Sequence, residues 1–163
     1  MSEAPAAARA EQITPSRHEP RAEGPATMRT DQDTTRQQTY EDGLRVRREV
    51  LGAAHVDRSL GQVTEFSRPI QELVTEYCWG AVWNRDGLDR RTRSLLNLVT
   101  LTALNRGHEL GVHVRGAIRN GVTIEEIQES LLQAAIYIGV PAALESFRIA
   151  EAKLEEMKAA GEL

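Results

Sequence analysis

The stretch from Arg90 to Leu104 constrains the fold more than any other. Leu95, Leu96, Leu98, Val99, Leu101 and Leu104 recur at helical spacing and reach round much of the circumference. A helix apolar on that many sides calls for burial against more than one neighbour. Asp89 precedes it as an N-cap, and Gly107 interrupts it after about Asn105. A second helix covers about His108 to Asn120, and Asn120-Gly121 is a common helix ending. Thr123 and Glu126 form a capping box that opens a third helix, to about Ile138. Gly139 stops this one. Pro141 suits the first turn of a last helix, which carries Leu144, Phe147, Ala150 and Leu154 and ends near Ala160.

Upstream, Asn84 to Leu88 reads as a turn marked by Asp86-Gly87. A helix over about Gln62 to Val82 contains Pro69, so it is kinked there or begins near Ser67. A loop through His55 and Arg58 leads back to a helix over about Tyr40 to Leu51, with Leu44, Val46, Val50 and Leu51 on its apolar side. No strand-like alternation is convincing. The expected fold is all-α: a single-domain antiparallel bundle of about six helices over residues 39–160. Helices 89–105 and 123–138 are apolar on more faces than one protomer covers. A homo-oligomer is therefore expected.

Residues 1–38 differ in kind. They hold four of the six prolines, and Ile13 is their only branched aliphatic side chain. Such a segment cannot bury enough apolar surface to offset its ordering entropy, and it reads as a disordered N-terminal extension.

Charge and cysteine content narrow the function. With 20 Lys+Arg against 24 Asp+Glu the chain is mildly acidic, which argues against nucleic-acid binding through bulk charge. Nearly all its basic residues are arginines, which suit bidentate carboxylate binding. Cys78 is the single cysteine. No internal disulfide or zinc cluster is available, and a reducing cytoplasmic setting fits. No apolar run approaches membrane-spanning length, and the N-terminus lacks the apolar core of a signal peptide.

Several residues could carry chemistry. Glu109 and His113 lie four apart on one helix face, with Arg106 on the same side. A carboxylate beside an imidazole orients it and favours its protonated form, as a general acid requires. The alternative is an exposed ion pair worth a few tenths of a kcal/mol. Trp79 and Trp83, also four apart, could wall a dry pocket or anchor a core or interface. Arg85 and Arg93 could bind an anion, cap a helix end or make a structural ion pair. Ser94 could donate to a carbonyl oxygen or bond back to its own helix. Tyr137, at a tight helix–helix corner, could reach a pocket. No metal-ligand set is visible.

These pieces, in this order, resemble the carboxymuconolactone decarboxylase family from about Tyr40 to Glu156. They are Tyr40-Glu41-x-Gly43-Leu44-x-Val46-Arg47, Val50-Leu51-Gly52, Val56-x-Arg58-Ser59-Leu60 and Trp79-Gly80-x-Val82-Trp83-x-Arg85-x-Gly87-Leu88. Further on come Arg93-Ser94-Leu95, Glu109-Leu110-x-x-His113, Asn120-Gly121-Val122-Thr123 and Tyr137-x-Gly139-x-Pro141-Ala142. The resemblance implies an all-α fold, a trimer or ring-like hexamer and no cofactor. It implies the loss of CO2 from a small lactone carboxylate, 4-carboxymuconolactone, giving 3-oxoadipate enol-lactone in the protocatechuate branch of the β-ketoadipate pathway. On that footing Arg85 and Arg93 would hold carboxylates, and Ser94 or Tyr137 would stabilise the developing oxyanion. Trp79 and Trp83 would exclude water, and His113 with Glu109 would deliver the proton. A related enzyme acting on another lactone or β-keto acid, or a non-catalytic helical oligomer, remains an alternative reading. The looser likeness to alkylhydroperoxidase D-like proteins lacks their CxxC pair: Arg106 and Glu109 occupy those positions, which argues against dithiol chemistry.

Overall fold

The first helix, α1 (Asp31–Leu51), is longer at its N-terminal end than composition suggests. The computed structural model describes residues 31–163, with helices and turns and no strand among them. The expected extension at 1–30 lies outside the described residues, but residues 31–38 are helical. A long-range contact is made from this segment. Arg36 donates from Nε and Nη2 to the two carboxylate oxygens of Glu76, each at 3.0 Å.

Gly52 ends α1 with φ of 91°, a backbone geometry that glycine adopts at little cost. A Cβ there would run into the Arg119 guanidinium, whose Nη1 donates to the Leu51 carbonyl at 2.5 Å. The expected loop through His55 and Arg58 is instead a short helix, α2 (Ala53–Gly61). Val56 is its one buried residue, too little apolar pattern to register as a helix in sequence.

Helix α3 (Arg68–Leu73) begins at Ser67 with Pro69 in its first turn. Of the two sequence options at Pro69, a start near Ser67 is therefore the one adopted. The chain then runs directly into a π-helical stretch, Val74–Trp83, whose i→i+5 bonding no sequence period announced. Past the Asn84–Leu88 turn come α4 (Arg90–Ala103), α5 (Gly107–Arg119), α6 (Ile124–Ile138) and α7 (Val140–Ala159). Their caps act as expected. The Asp89 carboxylate accepts from the Thr92 N–H at 2.6 Å. Thr123 and Glu126 make both capping-box bonds, at 3.1 and 2.9 Å. Each such cap contributes about 1 kcal/mol.

Two apolar cores share α5. Leu110, Val114 and Ala117 of α5 pack with Leu98, Ile127, Leu131 and Ala150 of α4, α6 and α7. Val112 meets the other core, where Val46, Val50 and Val56 enclose Trp79 and Trp83. Helix α1 lies along the π-helical stretch at backbone contact. A Cβ on Gly43 would sit 2.0 Å from the Thr75 carbonyl oxygen, and one on Gly80 2.2 Å from that of Thr39.

The apolar girdle of α4 is only partly covered within one chain. Leu98 is fully buried, whereas Leu96 and Leu104 are 53% and 61% exposed. Leu132 and Ile136 on α6 are likewise exposed. Among the described residues no helix is long and apolar enough to cross a membrane.

Candidate active site

The π-helical stretch buries Thr75, Trp79, Gly80 and Trp83. The two indole rings lie 4.9 Å apart, centroid to centroid. From α5, the His113 imidazole stacks on both, at 6.3 Å from Trp79 and 6.2 Å from Trp83. From α4, Asn97 Nδ2 lies 3.4 Å from His113 Nδ1. An amide nitrogen only donates, so this contact makes Nδ1 an acceptor and leaves the neutral ring's proton on Nε2.

Burial sets the charge of His113. Desolvation against the two indoles lowers its pKa from 6.5 to about 4, outweighing the pull of Glu109 in the opposite direction. The carboxylate favours the protonated ring as expected, but burial outweighs it, and at pH 7 the imidazole is neutral. Glu109 is exposed and acts on His113 through its charge; no hydrogen bond joins the two among the described contacts. Arg106, the third member of the row, is exposed as well.

A stability test follows from this shift. The folded pKa lies below the unfolded value, so the unfolded chain binds more protons between pH 4 and 6.5. Stability is full above about 6.5 and falls as pH drops toward 4, by about 3 kcal/mol in all. Replacing His113 by Gln is expected to flatten this part of the curve. The measurement is urea unfolding of both proteins from pH 7 to pH 4.5. Parallel curves would contradict it.

Arg93 precedes Asn97 by one turn of α4, and its Nη2 donates to the Arg85 carbonyl oxygen at 3.1 Å. Its Nε is buried without a partner. Arg85 lines an open cleft of about 310 Å3 beside Trp83, with Asp86 and Arg90. The structure thus brings Trp79, Trp83, His113, Arg93 and Arg85 into one region.

Ser94 and Tyr137 stand apart from it. Ser94 is fully buried, and its Oγ accepts from Asn120 Nδ2 at 2.9 Å. It ties α4 to the end of α5 rather than facing the stack or bonding back to its own helix. Tyr137 is 79% exposed at the end of α6, and no described hydrogen bond or ring contact brings it to the stack.

Three residues beside the site were not singled out in sequence. Asn97 gives no signal beyond its place one turn after Arg93. His55, expected in a loop, is half-buried in α2. Its pKa is lowered by burial first and then by the charges of Arg47, Arg58, Arg115 and His108, and its own charge reaches His113. Arg47 is 7% exposed and donates from Nη1 to Gln71 Oε1 and Thr75 Oγ1, both at 3.1 Å. Its signal was a charge among the apolar positions Leu44, Val46, Val50 and Leu51. Cys78 is half-buried beside this core. Burial pushes its thiol pKa up, as suits a packing residue and not a nucleophile. Among the described residues no group of three or more His, Cys, Asp or Glu is placed to hold a metal ion.

The comparisons with known proteins bear on this arrangement. Residues 68–152, which hold α3, the π-helical stretch, α4 to α6 and most of α7, match the model of the carboxymuconolactone decarboxylase family. The chain belongs to that family. Over 130 residues it is 44% identical to the nitrosuccinic acid decarboxylase npaB of Metarhizium robertsii, covering 80% of this chain and 91% of that protein. Over 126 residues it is 41% identical to the 4-carboxymuconolactone decarboxylase of Acinetobacter baylyi, covering 77% and 94% respectively. A 43-residue stretch is 46% identical to the 4-carboxymuconolactone decarboxylase of Pseudomonas putida, covering 26% of this chain and 90% of that protein. The family assignment made from the motifs is therefore borne out, and with it the all-α class and an enzyme of the carboxy-lyase type. These relatives are thus decarboxylases named for two different acids.

Proposed function

We propose that this protein removes CO2 from 4-carboxymuconolactone, giving 3-oxoadipate enol-lactone. The observation that carries this reading is a half-buried imidazole stacked on two tryptophans, with arginines nearby. In that substrate the leaving carboxylate is attached to a ring carbon conjugated through a double bond to the lactone carbonyl. As the C–C bond breaks, its electron pair moves through the ring onto the carbonyl oxygen, and CO2 departs. The ring itself is the electron sink. The resulting dienolate takes one proton at the carbon next to the carbonyl.

Each group has a task in this scheme. Arg93 and Arg85 attract the leaving carboxylate to the open side of Trp83, and Trp79 and Trp83 keep water from it. The substrate's negative charge raises the His113 pKa, so the imidazole takes up a proton as the acid binds. After CO2 leaves, His113 returns that proton to the ring carbon. Glu109, one turn away, favours the charged ring; its exposed carboxyl is the second candidate for the donor. Asn97 orients the imidazole. Tyr137 enters the site only if a neighbouring copy brings it there. The exposed Leu96, Leu104, Leu132 and Ile136 support a homo-oligomer, a trimer or hexamer, that covers them.

A second reading replaces the lactone with a nitro-substituted dicarboxylic acid, and the 44% identity to the nitrosuccinic acid decarboxylase favours it. A nitro group next to the leaving carboxylate takes up the electron pair in the same way. The test is competitive: supply both acids separately and measure CO2 release with the enol-lactone or nitroalkanoate formed. Turnover of 4-carboxymuconolactone with kcat/KM at least tenfold above that of nitrosuccinate is the expected result. The reverse order would transfer the assignment to the second reading, and no CO2 from either acid would end both.

A further inference from the structure

Arg47 is a buried charge without a counter-charge. It is 7% exposed, and no carboxylate of the described residues lies within salt-bridge distance of it. Its two protein partners, Gln71 Oε1 and Thr75 Oγ1, are neutral, and both are reached from Nη1 alone. Nε is buried with no partner, and Nη2 makes no hydrogen bond among the described residues. A guanidinium in that position is costly unless an anion joins it.

The unused edge has a defined shape. Nε and Nη2 form the side fork of a guanidinium, which fits the two oxygens of one carboxylate. The same chain shows that pairing elsewhere: Arg36 holds Glu76 through Nε and Nη2, each at 3.0 Å. Arg115 also has a buried Nε, but Glu156 and Glu162 neutralise it. Arg47 has the fork and lacks the carboxylate.

Its position ties it to the site. Thr75, its acceptor, shares the buried part of the π-helical stretch with Trp79 and Trp83. The Arg47 charge acts on His55, and that of His55 on His113. Gln71, its other acceptor, lines an open cleft of about 270 Å3 with Tyr40 and Leu60, where Arg68 and Glu72 also sit. Leu60 in turn packs against the core that holds the two tryptophans.

We propose that Arg47 is a carboxylate-binding residue of the active site, taking through Nη2, and through Nε once a shift of the side chain uncovers it, the carboxylate that a dicarboxylic acid substrate retains. The leaving carboxylate then lies toward Arg93, and the reacting carbon lies between them at the His113 stack. This rests on the decarboxylase reading above and deepens it. It makes the site selective for acids with two carboxylates, because a monocarboxylic analogue leaves the Arg47 fork empty.

The test uses Arg47→Met, which keeps the length of the side chain and removes its charge. Binding of adipate and succinate, with hexanoate and butyrate as controls, is followed by the fluorescence of Trp79 and Trp83, the only two tryptophans. The wild type is expected to bind each dicarboxylate more tightly than its control. Arg47→Met is expected to weaken dicarboxylate binding about 30-fold or more, the effect of losing a charge-assisted pair. Its melting temperature is expected to equal or exceed that of the wild type, since an uncompensated buried charge has been removed. Arg47→Lys, which keeps the charge and loses the fork, is expected to fall between. A purely structural Arg47 would give the opposite pattern, a lower melting temperature with unchanged affinity, and that result overturns the proposal. So does a wild type without saturable response to either dicarboxylate. The outcome is separable from the substrate assignment. An enzyme inert toward 4-carboxymuconolactone sinks that assignment, while the titrations still decide Arg47.

Discussion

Decarboxylation by a His113→Gln enzyme is expected to run roughly 100- to 10,000-fold slower than by the wild type, the range typical for loss of a general acid. The amide fills much of the same slot between the indoles and the Asn97 side chain, so the fold is retained. It offers no titratable proton, and the dienolate left by CO2 has then to be protonated by water or by Glu109. Single-turnover rates of CO2 release and of enol-lactone formation, measured separately, locate the defect. If His113 delivers the proton, enol-lactone formation suffers at least as much as CO2 release. Near wild-type rates for both would remove His113 from the mechanism. A companion Glu109→Gln enzyme divides the roles: a loss as large as that of His113→Gln would make the carboxyl the donor, whereas a loss of a fewfold fits a carboxylate that only favours the charged ring.

The largest stability effect is expected at Gly43. An alanine there would put its Cβ 2.0 Å from the Thr75 carbonyl oxygen and 2.7 Å from the Gly80 nitrogen. Both are backbone atoms of the π-helical stretch, and neither can swing aside. Helix α1 must lift away, loosening the core of Val46, Val50, Trp79 and Trp83. The cost is expected to be about 3 kcal/mol or more, which lowers the melting temperature by about 10 °C. Gly61→Ala is the control, because a Cβ there meets nothing within 4 Å. Equal melting temperatures for the two variants would contradict the backbone contact. Arg47 and Thr75 sit on the two sides of this same contact. Gly43→Ala should therefore also weaken dicarboxylate binding, although it touches no ligand.

What the sequence disclosed followed how local each cause was. Helices α4, α6 and α7 could be bounded in advance because Asp89, the Thr123/Glu126 pair and Pro141 act within a turn of their own positions. Helix α2 and the first turns of α1 could not. The former has a single buried side chain, Val56. The latter makes its long-range contact through Arg36, 40 positions from Glu76. The Trp79, Trp83 and His113 cluster was legible as three chemically notable residues. Its electrostatics were not, because i,i+4 spacing reports the Glu109 charge but not the desolvation that overrides it. Arg47 stood within a quoted motif and had no assigned role. Only packing shows that its partners are an amide and a hydroxyl, with no acid among them. The partner of Ser94 was hidden for a similar reason: Asn120 lies 26 positions away.

The π-helical stretch has a consequence for how such a site tolerates changes in chain length. Its wider turns take about one more residue each than α-helical bonding would need. Deleting one residue between Thr75 and Trp83 would let part of it relax to the tighter pitch. The tighter turn then closes its circle with about one residue fewer, so everything downstream keeps nearly the same facing toward α1. Trp83, the Arg85 turn and the start of α4 would stay on their side of Arg47 and Thr75. The wide turns thus act as slack. A chain built this way can lose or gain one residue in this stretch without re-aiming the side chains around the imidazole.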